Sequence, residues 1–276
     1  MNNLIGVFGV GFIGSKFCEM YPRNTVPIKS GDFKPKSNII LYLRSTVDNY
    51  GSPEENIEVN LVNLMKVLRN LKSGDKFIFI SSWFVYSPNL SLPVKEDAPT
   101  CARGYYSGSK AFAEKLVETY CQANSIKYNI VRLSNVIGPG DKFSKKKNAL
   151  TWLINEIKAG RDVNLYHGGD VIRDYLDVEI ICKGIKFIID FGKNEEIYNL
   201  GSGVAYKMID ILEYVKDKIG SKSVFSAIDP PIFHNQIQSK DFYLDITKIN
   251  NLGFFPFPSI SETLEKILEE LPEKSI

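Results

Sequence analysis

A chain of 276 residues with 44% apolar composition is long enough for one large domain, or for a core domain with a small partner, and suits a soluble globule. A net charge of +2 gives no reason to expect nucleic acid or membrane partners, and no apolar run approaches the ~20 residues that span a bilayer. Cys18, Cys101, Cys121 and Cys182 are scattered and the histidines are His167 and His234, so neither a metal cage nor a disulfide framework is indicated.

The first apolar stretch, residues 4–8, has no basic region before it and is interrupted by glycine. It reads as a strand and not as a signal peptide, and the expected location is cytoplasmic. The strand leads into Gly9-Val10-Gly11-Phe12-Ile13-Gly14, a turn that opens a helix over 12–20. There the backbone of Gly9, Gly11, Phe12, Ile13 and Gly14 can approach a dinucleotide pyrophosphate at the helix amino terminus. A short strand over 25–28 ends at Lys29-Ser30-Gly31, where an NAD site places an acid. Lys29 and Ser30 suit a 2′-phosphate better than two free ribose hydroxyls, so NADP(H) is favoured and NAD(H) stays open, with Asp32 as the alternative ribose ligand.

Another strand follows at 38–43. A long helix over 54–71 carries Ile57, Leu61, Leu64, Leu68 and Leu71 at helical spacing. The apolar strand 77–80 ends at Ser81 and Ser82, at the carboxyl edge where ligands bind in an open parallel sheet. The helix over 105–123 places Tyr106 and Lys110 four residues apart on one face, so the ammonium can sit beside the phenol. A neighbouring positive charge favours the phenolate and lowers the tyrosine pKa towards the range of proton exchange with a sugar hydroxyl or ketone, with Ser82 as hydrogen-bond partner for the same oxygen. A solvated helical face can produce the same spacing by chance. The order of glycine turn, serine, tyrosine and lysine is what raises it to a site. Cys101 lies just ahead of Tyr106, either lining the site or as an ordinary free thiol.

At this point the chain resembles the extended short-chain dehydrogenase/reductase family, the NAD-dependent epimerases, dehydratases and reductases of nucleotide sugars, as a compact variant. Besides the three motifs, the resemblance rests on Arg132-Leu133-Ser134-Asn135-Val136-Ile137-Gly138-Pro139-Gly140, Arg173-Asp174-Tyr175-Leu176-Asp177-Val178, Tyr198-Asn199-Leu200-Gly201-Ser202-Gly203 and Asp245-Ile246-Thr247-Lys248 leading to Leu252-Gly253-Phe254. It implies a doubly wound α/β sheet, Rossmann-like, over 1–138 plus about 172–202, and a smaller substrate-binding part over about 139–171 and 203–276. The expected elements of that part are helices over 150–158, 208–219 and 260–271 and a strand over 163–166. The close succession of the second and third strands suggests that the first half lacks a strand or helix.

The resemblance further implies a nucleoside-diphosphate sugar as substrate, lined by Ser82, Trp83, Phe84, Asn135 and Arg173, with Arg173 on the diphosphate. The other reading of Arg173 is an ion pair with Asp174. Lys110 gains a second role on the nicotinamide ribose, and Asn60 a structural one. Lys145-Lys146-Lys147 can steer an anion or be a solvated loop. Helices 54–71 and 105–123 are expected to pair in a homodimer, unless their apolar stripes face the monomer's own core. Trp83 and Phe84 occupy the positions where 4,6-dehydratases carry an Asp-Glu pair, and Phe84 that of the cysteine of GDP-fucose synthases. What remains is reduction of a 4-keto-6-deoxy sugar, or alternatively 4-epimerisation through a transient ketone. A non-catalytic dinucleotide-sensing module is the third possibility on the same fold.

Overall fold

Strands buried on both faces read as short continuous apolar runs, because helices cover the sheet on either side. Ile5–Phe8 (β1) is buried at all four positions, and Lys76–Ser82 (below, β4) at six of seven. The structure is a computed structural model and describes residues 4–46, 52–101, 103–141, 149–237, 239–257 and 259–271.

After β1 come helix α1 (Phe12–Met20), β2 (Thr25–Ile28) and β3 (Ile39–Tyr42). The expected helix over 54–71 is α2 (Pro53–Ile57), a π-helical turn (Glu58–Val62) and α3 (Asn63–Leu68), and it ends three residues early where the chain turns over Asn70 and Leu71. The wider turn rotates Asn60 inward, where it is 2% exposed. Then follow β4, α4 (Tyr105–Ala123), β5 (Lys127–Leu133), β6 (Asn135–Ile137), α5 (Ala149–Lys158), β7 (Val163–Tyr166), β8 (Ile172–Arg173) and β9 (Tyr175–Asp177). The chain closes with α6 (Val178–Phe191), β10 (Glu196–Leu200), β11 (Tyr206–Lys207), α7 (Met208–Lys218), β12 (Phe225–Ile228), α8 (Ile232–Ile237), α9 (Thr247–Asn250) and α10 (Ile260–Glu270).

Six strands form one parallel sheet in the order β10-β5-β4-β3-β1-β2, a doubly wound α/β arrangement. Phe17 of α1 and Ile181, Ile185 and Ile188 of α6 pack on one face of it. Leu64, Val67 and Leu68 of α3 and Ala113, Val117 and Cys121 of α4 pack on the other. A separate core joins α5, α7 and α10 around Leu153, Leu212 and Leu264. Order reverses between β1 and β3, and a crevice opens there at the carboxyl ends of the strands. No helix among the described residues is long and apolar enough to cross a membrane.

Candidate active site

The glycine turn sits at that reversal. Gly9 has φ +97°, and a Cβ on it would come within 2.5 Å of the Arg44 backbone nitrogen. Gly11 has nothing within 4 Å of where its Cβ would be, so the turn is closed behind and open in front. The helix α1 that follows has no side-chain cap and no acid in its first turn, which leaves its amide groups facing a cleft of about 2290 Å³. Lys29, Ser30, Ser82, Trp83, Phe84, Tyr106, Lys110, Asn135, Arg173 and His234 all line this cleft.

Ser82 is the last residue of β4, and its hydroxyl accepts from the Phe84 amide at 3.3 Å. Tyr106 enters from the first turn of α4, 8% exposed, and lines the cleft with Ser82 and with Ser45, whose hydroxyl donates to Thr46 and Asn60. Lys110, one turn on, donates to the Ile80 carbonyl oxygen at 2.5 Å and stands 4.1 Å from the centre of the Phe79 ring. The expected effect of the lysine on the tyrosine is therefore corrected. Burial raises the Tyr106 pKa above its ordinary value, against the smaller lowering by Ser82 and Ser45. Burial likewise brings Lys110 down to about 7, partly opposed by Glu114. At neutral pH the phenol holds its proton, the form that can donate one.

Trp83 stacks between Phe84 at 4.0 Å and Phe242 at 4.3 Å, and Phe84 meets Tyr106 edge-on at 6.0 Å. The Asn135 amide is used on both sides, accepting from Trp83 Nε1 at 3.3 Å and donating to the Asp174 carbonyl oxygen at 3.0 Å. Arg173 makes no ion pair with Asp174 among the described residues. Its Nη1 donates to the carbonyl oxygens of Ile172 and Lys240, and its guanidinium lies 5.9 Å from the Trp83 ring. Asp174 turns the other way and accepts from Ser202, Gly203 and Leu244. Asn60 donates to Ser109 at 2.8 Å and to Thr46 at 2.9 Å, tying the π turn to α4 and to the chain after β3.

Asp32 is bound within its own turn, to the Lys34 amide at 2.9 Å and Lys36 at 3.5 Å. Cys101 is exposed, Lys145, Lys146 and Lys147 lie outside the described residues, and no cluster able to hold a metal occurs among the described ones. Arg44 and Ser45 also line the cleft and went unread in the sequence. The available signal was their position directly after β3, beside the glycine turn.

A model of the NAD dependent epimerase/dehydratase family matches residues 35–201. Among curated proteins, the chain is 28% identical over 196 residues to the low-salt glycan biosynthesis protein Agl12 of Haloferax volcanii, covering 71% of this chain and 61% of that one. It is 25% identical over 229 residues to a putative UDP-glucose 4-epimerase of Methanocaldococcus jannaschii, covering 82% and 72%. It is 26% identical over 255 residues to a GDP-6-deoxy-D-mannose reductase of Pseudomonas aeruginosa, covering 88% and 84%. Among solved structures, RMD from Pseudomonas aeruginosa complexed with NADPH superposes with a TM-score of 0.85 at 19% identity, over 98% of each chain.

Proposed function

The chain belongs to the NAD-dependent epimerase/dehydratase family, a family of enzymes that use a nicotinamide dinucleotide, and from that premise we propose that it reduces the 4-keto group of a nucleoside-diphosphate 4-keto-6-deoxy sugar. The cofactor fits the residues present, because the turn at Gly9, Gly11 and Gly14 is closed by backbone behind and open towards the cleft. When bound, it supplies the hydride.

The observation that carries the reading is the chemistry around Tyr106. Its side chain is buried, burial raises its pKa so that the phenol keeps its proton, and the hydroxyl side chains of Ser82 and Ser45 line the cleft with it. The residues after Ser82 are two stacked aromatic rings, so no carboxylate stands there to drive elimination of water. Tyr106 gives its proton to the oxygen that becomes the C4 hydroxyl, while Ser82 holds that oxygen and Lys110 keeps its helix against the Ile80 carbonyl oxygen. Trp83 and Phe84 make an apolar wall suited to a sugar face that carries a methyl group in place of a hydroxymethyl. Arg173, fixed by two carbonyl oxygens and lining the cleft, is suited to the diphosphate. The similarity to a GDP-6-deoxy-D-mannose reductase supports this choice of substrate class.

The test follows hydride stoichiometry. Incubation with NADPH and a nucleoside-diphosphate 4-keto-6-deoxy sugar should consume one NADPH per product, and Tyr106→Phe should bind the cofactor yet turn over roughly 10²–10⁴-fold more slowly. An epimerase returns its hydride and needs no added reductant. Inversion of UDP-glucose at C4 without reductant would replace the reductase reading with that one.

A further inference from the structure

The cleft is lined near Lys29 by a cation that the proposed chemistry leaves unused, Arg44. Arg44 lies two residues past β3, and its backbone with that of Leu43 forms the rear wall of the glycine turn against Gly9. From there its side chain crosses the carboxyl end of β1 and donates from Nη2 to the Lys29 carbonyl oxygen, at the end of β2, at 2.6 Å. The guanidinium carbon lies 5.0 Å from the centre of the Phe8 ring and 5.3 Å from that of Phe33. Lys66 approaches the same Phe33 ring at 5.0 Å.

The two neighbouring cations differ from it. Lys66 is paired with Glu58 at 3.0 Å. Lys29 is exposed. Arg44 is half-buried and forms no ion pair among the described residues, and the carboxylate that acts on it at longer range, Asp32, is held by Lys36 and the Lys34 amide. A half-buried, pre-oriented guanidinium without a carboxylate is a site for a planar or tetrahedral anion from outside the chain. In a doubly wound sheet the end of β2 is where the adenosine ribose of a dinucleotide lies.

We propose that Arg44 is the residue that selects NADPH, by binding the phosphate on the adenosine 2′ oxygen, with Lys29 in a secondary role. The assignment rests on the reading of the cleft as a dinucleotide site, and moves the selecting charge from the end of β2 to the end of β3. The Phe8 and Phe33 rings and the hydrogen bond to the Lys29 carbonyl oxygen keep the fork in place before the phosphate arrives, so little is lost in ordering it on binding.

Direct titration of the full chain with NADPH and with NADH, without sugar, tests it. Arg44→Gln keeps a planar amide and removes the charge. The unmodified protein should prefer NADPH, and Arg44→Gln should weaken NADPH binding roughly 10–100-fold while leaving NADH binding unchanged. Lys29→Ala should lose less. Equal loss for both cofactors, or no loss for either, would overturn the assignment, as would Lys29→Ala erasing the preference by itself. Equal affinities in the unmodified protein would remove the phosphate subsite and leave the reductase reading to its own turnover test. Binding of neither cofactor would remove both.

Discussion

Lys110 is buried along its whole length, with its amine on a carbonyl oxygen, an aromatic face beneath it and Glu114 one turn further along the helix. Desolvation disfavours the ammonium and brings the folded-state pKa to about 7, from 10.5 in the open chain. Between those values the unfolded state binds more protons than the folded one, so stability rises with pH through that window. Below about 7 both states are protonated and the full cost of the buried charge is present. Lys110→Met removes the titration, so the stability of the unmodified protein relative to the variant should improve from about pH 6 to about pH 9 in urea unfolding. A gap that stays constant over the window would mean that Lys110 does not titrate there. At this scale the sequence was legible where one spacing sufficed. Tyr106 and Lys110 share a helix face by their separation alone, and Ser82 follows a strand. The direction of the tyrosine shift was not legible, because it depends on how much water the fold removes and on the Ile80 carbonyl oxygen taking up the lysine. Arg44 was missed for a related reason, since its neighbours Phe8, Lys29 and Phe33 come together only through the order of β3, β1 and β2.

The helix α4 is fixed to the sheet by more than its apolar face. Arg132 of β5 reaches it with Nε 3.0 Å from one oxygen of Glu114 and Nη2 2.7 Å from the other. The same guanidinium donates to the Glu96 carbonyl oxygen at 3.0 Å and lies 4.6 Å from the centre of the Tyr86 ring. Both members of the pair are buried. Removing one partner strands the other charge away from water, and Glu114→Ala should cost about 3–5 kcal/mol in the denaturant midpoint. Glu118→Ala on the same helix breaks only a pair with Lys115, whose side chain is mostly exposed, and should cost less than about 1 kcal/mol. Similar losses for the two would mean that α4 is held by its apolar contacts alone. Apolar runs and periodicity made β1, β4, α4 and α10 readable, but β5, β10, β12, α6, α8 and α9 went unread as elements. Strands β6, β8, β9 and β11 have two or three residues each, too few to repeat a pattern, and they pair only because distant segments meet at the cleft. The π turn in the helix before α3 leaves no mark in an apolar repeat either; its cause is Asn60 finding Thr46 and Ser109.

Over the whole molecule, the apolar side chains of α4 have separate fates. Ala113 and Val117 are sealed against the molecule's own sheet, and Leu116 and Tyr120 are partly buried on the same core. Phe112 stays 61% exposed and Tyr105 56%, and beside them on α2 and the π turn Ile57 is 51% and Val62 37% exposed. These are four large exposed apolar side chains on neighbouring elements, and closed twofold association is the commonest form of oligomer that would cover them. A homodimer formed through them would place α4 of each copy between its own active site on one side and the partner on the other. The expected mass by light scattering at micromolar concentration is that of two chains. Phe112→Asp should give the mass of one, because a carboxylate at the centre of the contact would be desolvated without a partner. Phe257 is more exposed, at 86%, and lies in the segment before α10 and not on α2 or α4. If exposure alone drove association, Phe257→Asp would dissociate the dimer equally well; if α2 and α4 form the contact, that variant keeps the mass of two chains. A single-chain mass for the unmodified protein would leave these four side chains facing water and rule out the helix-paired dimer.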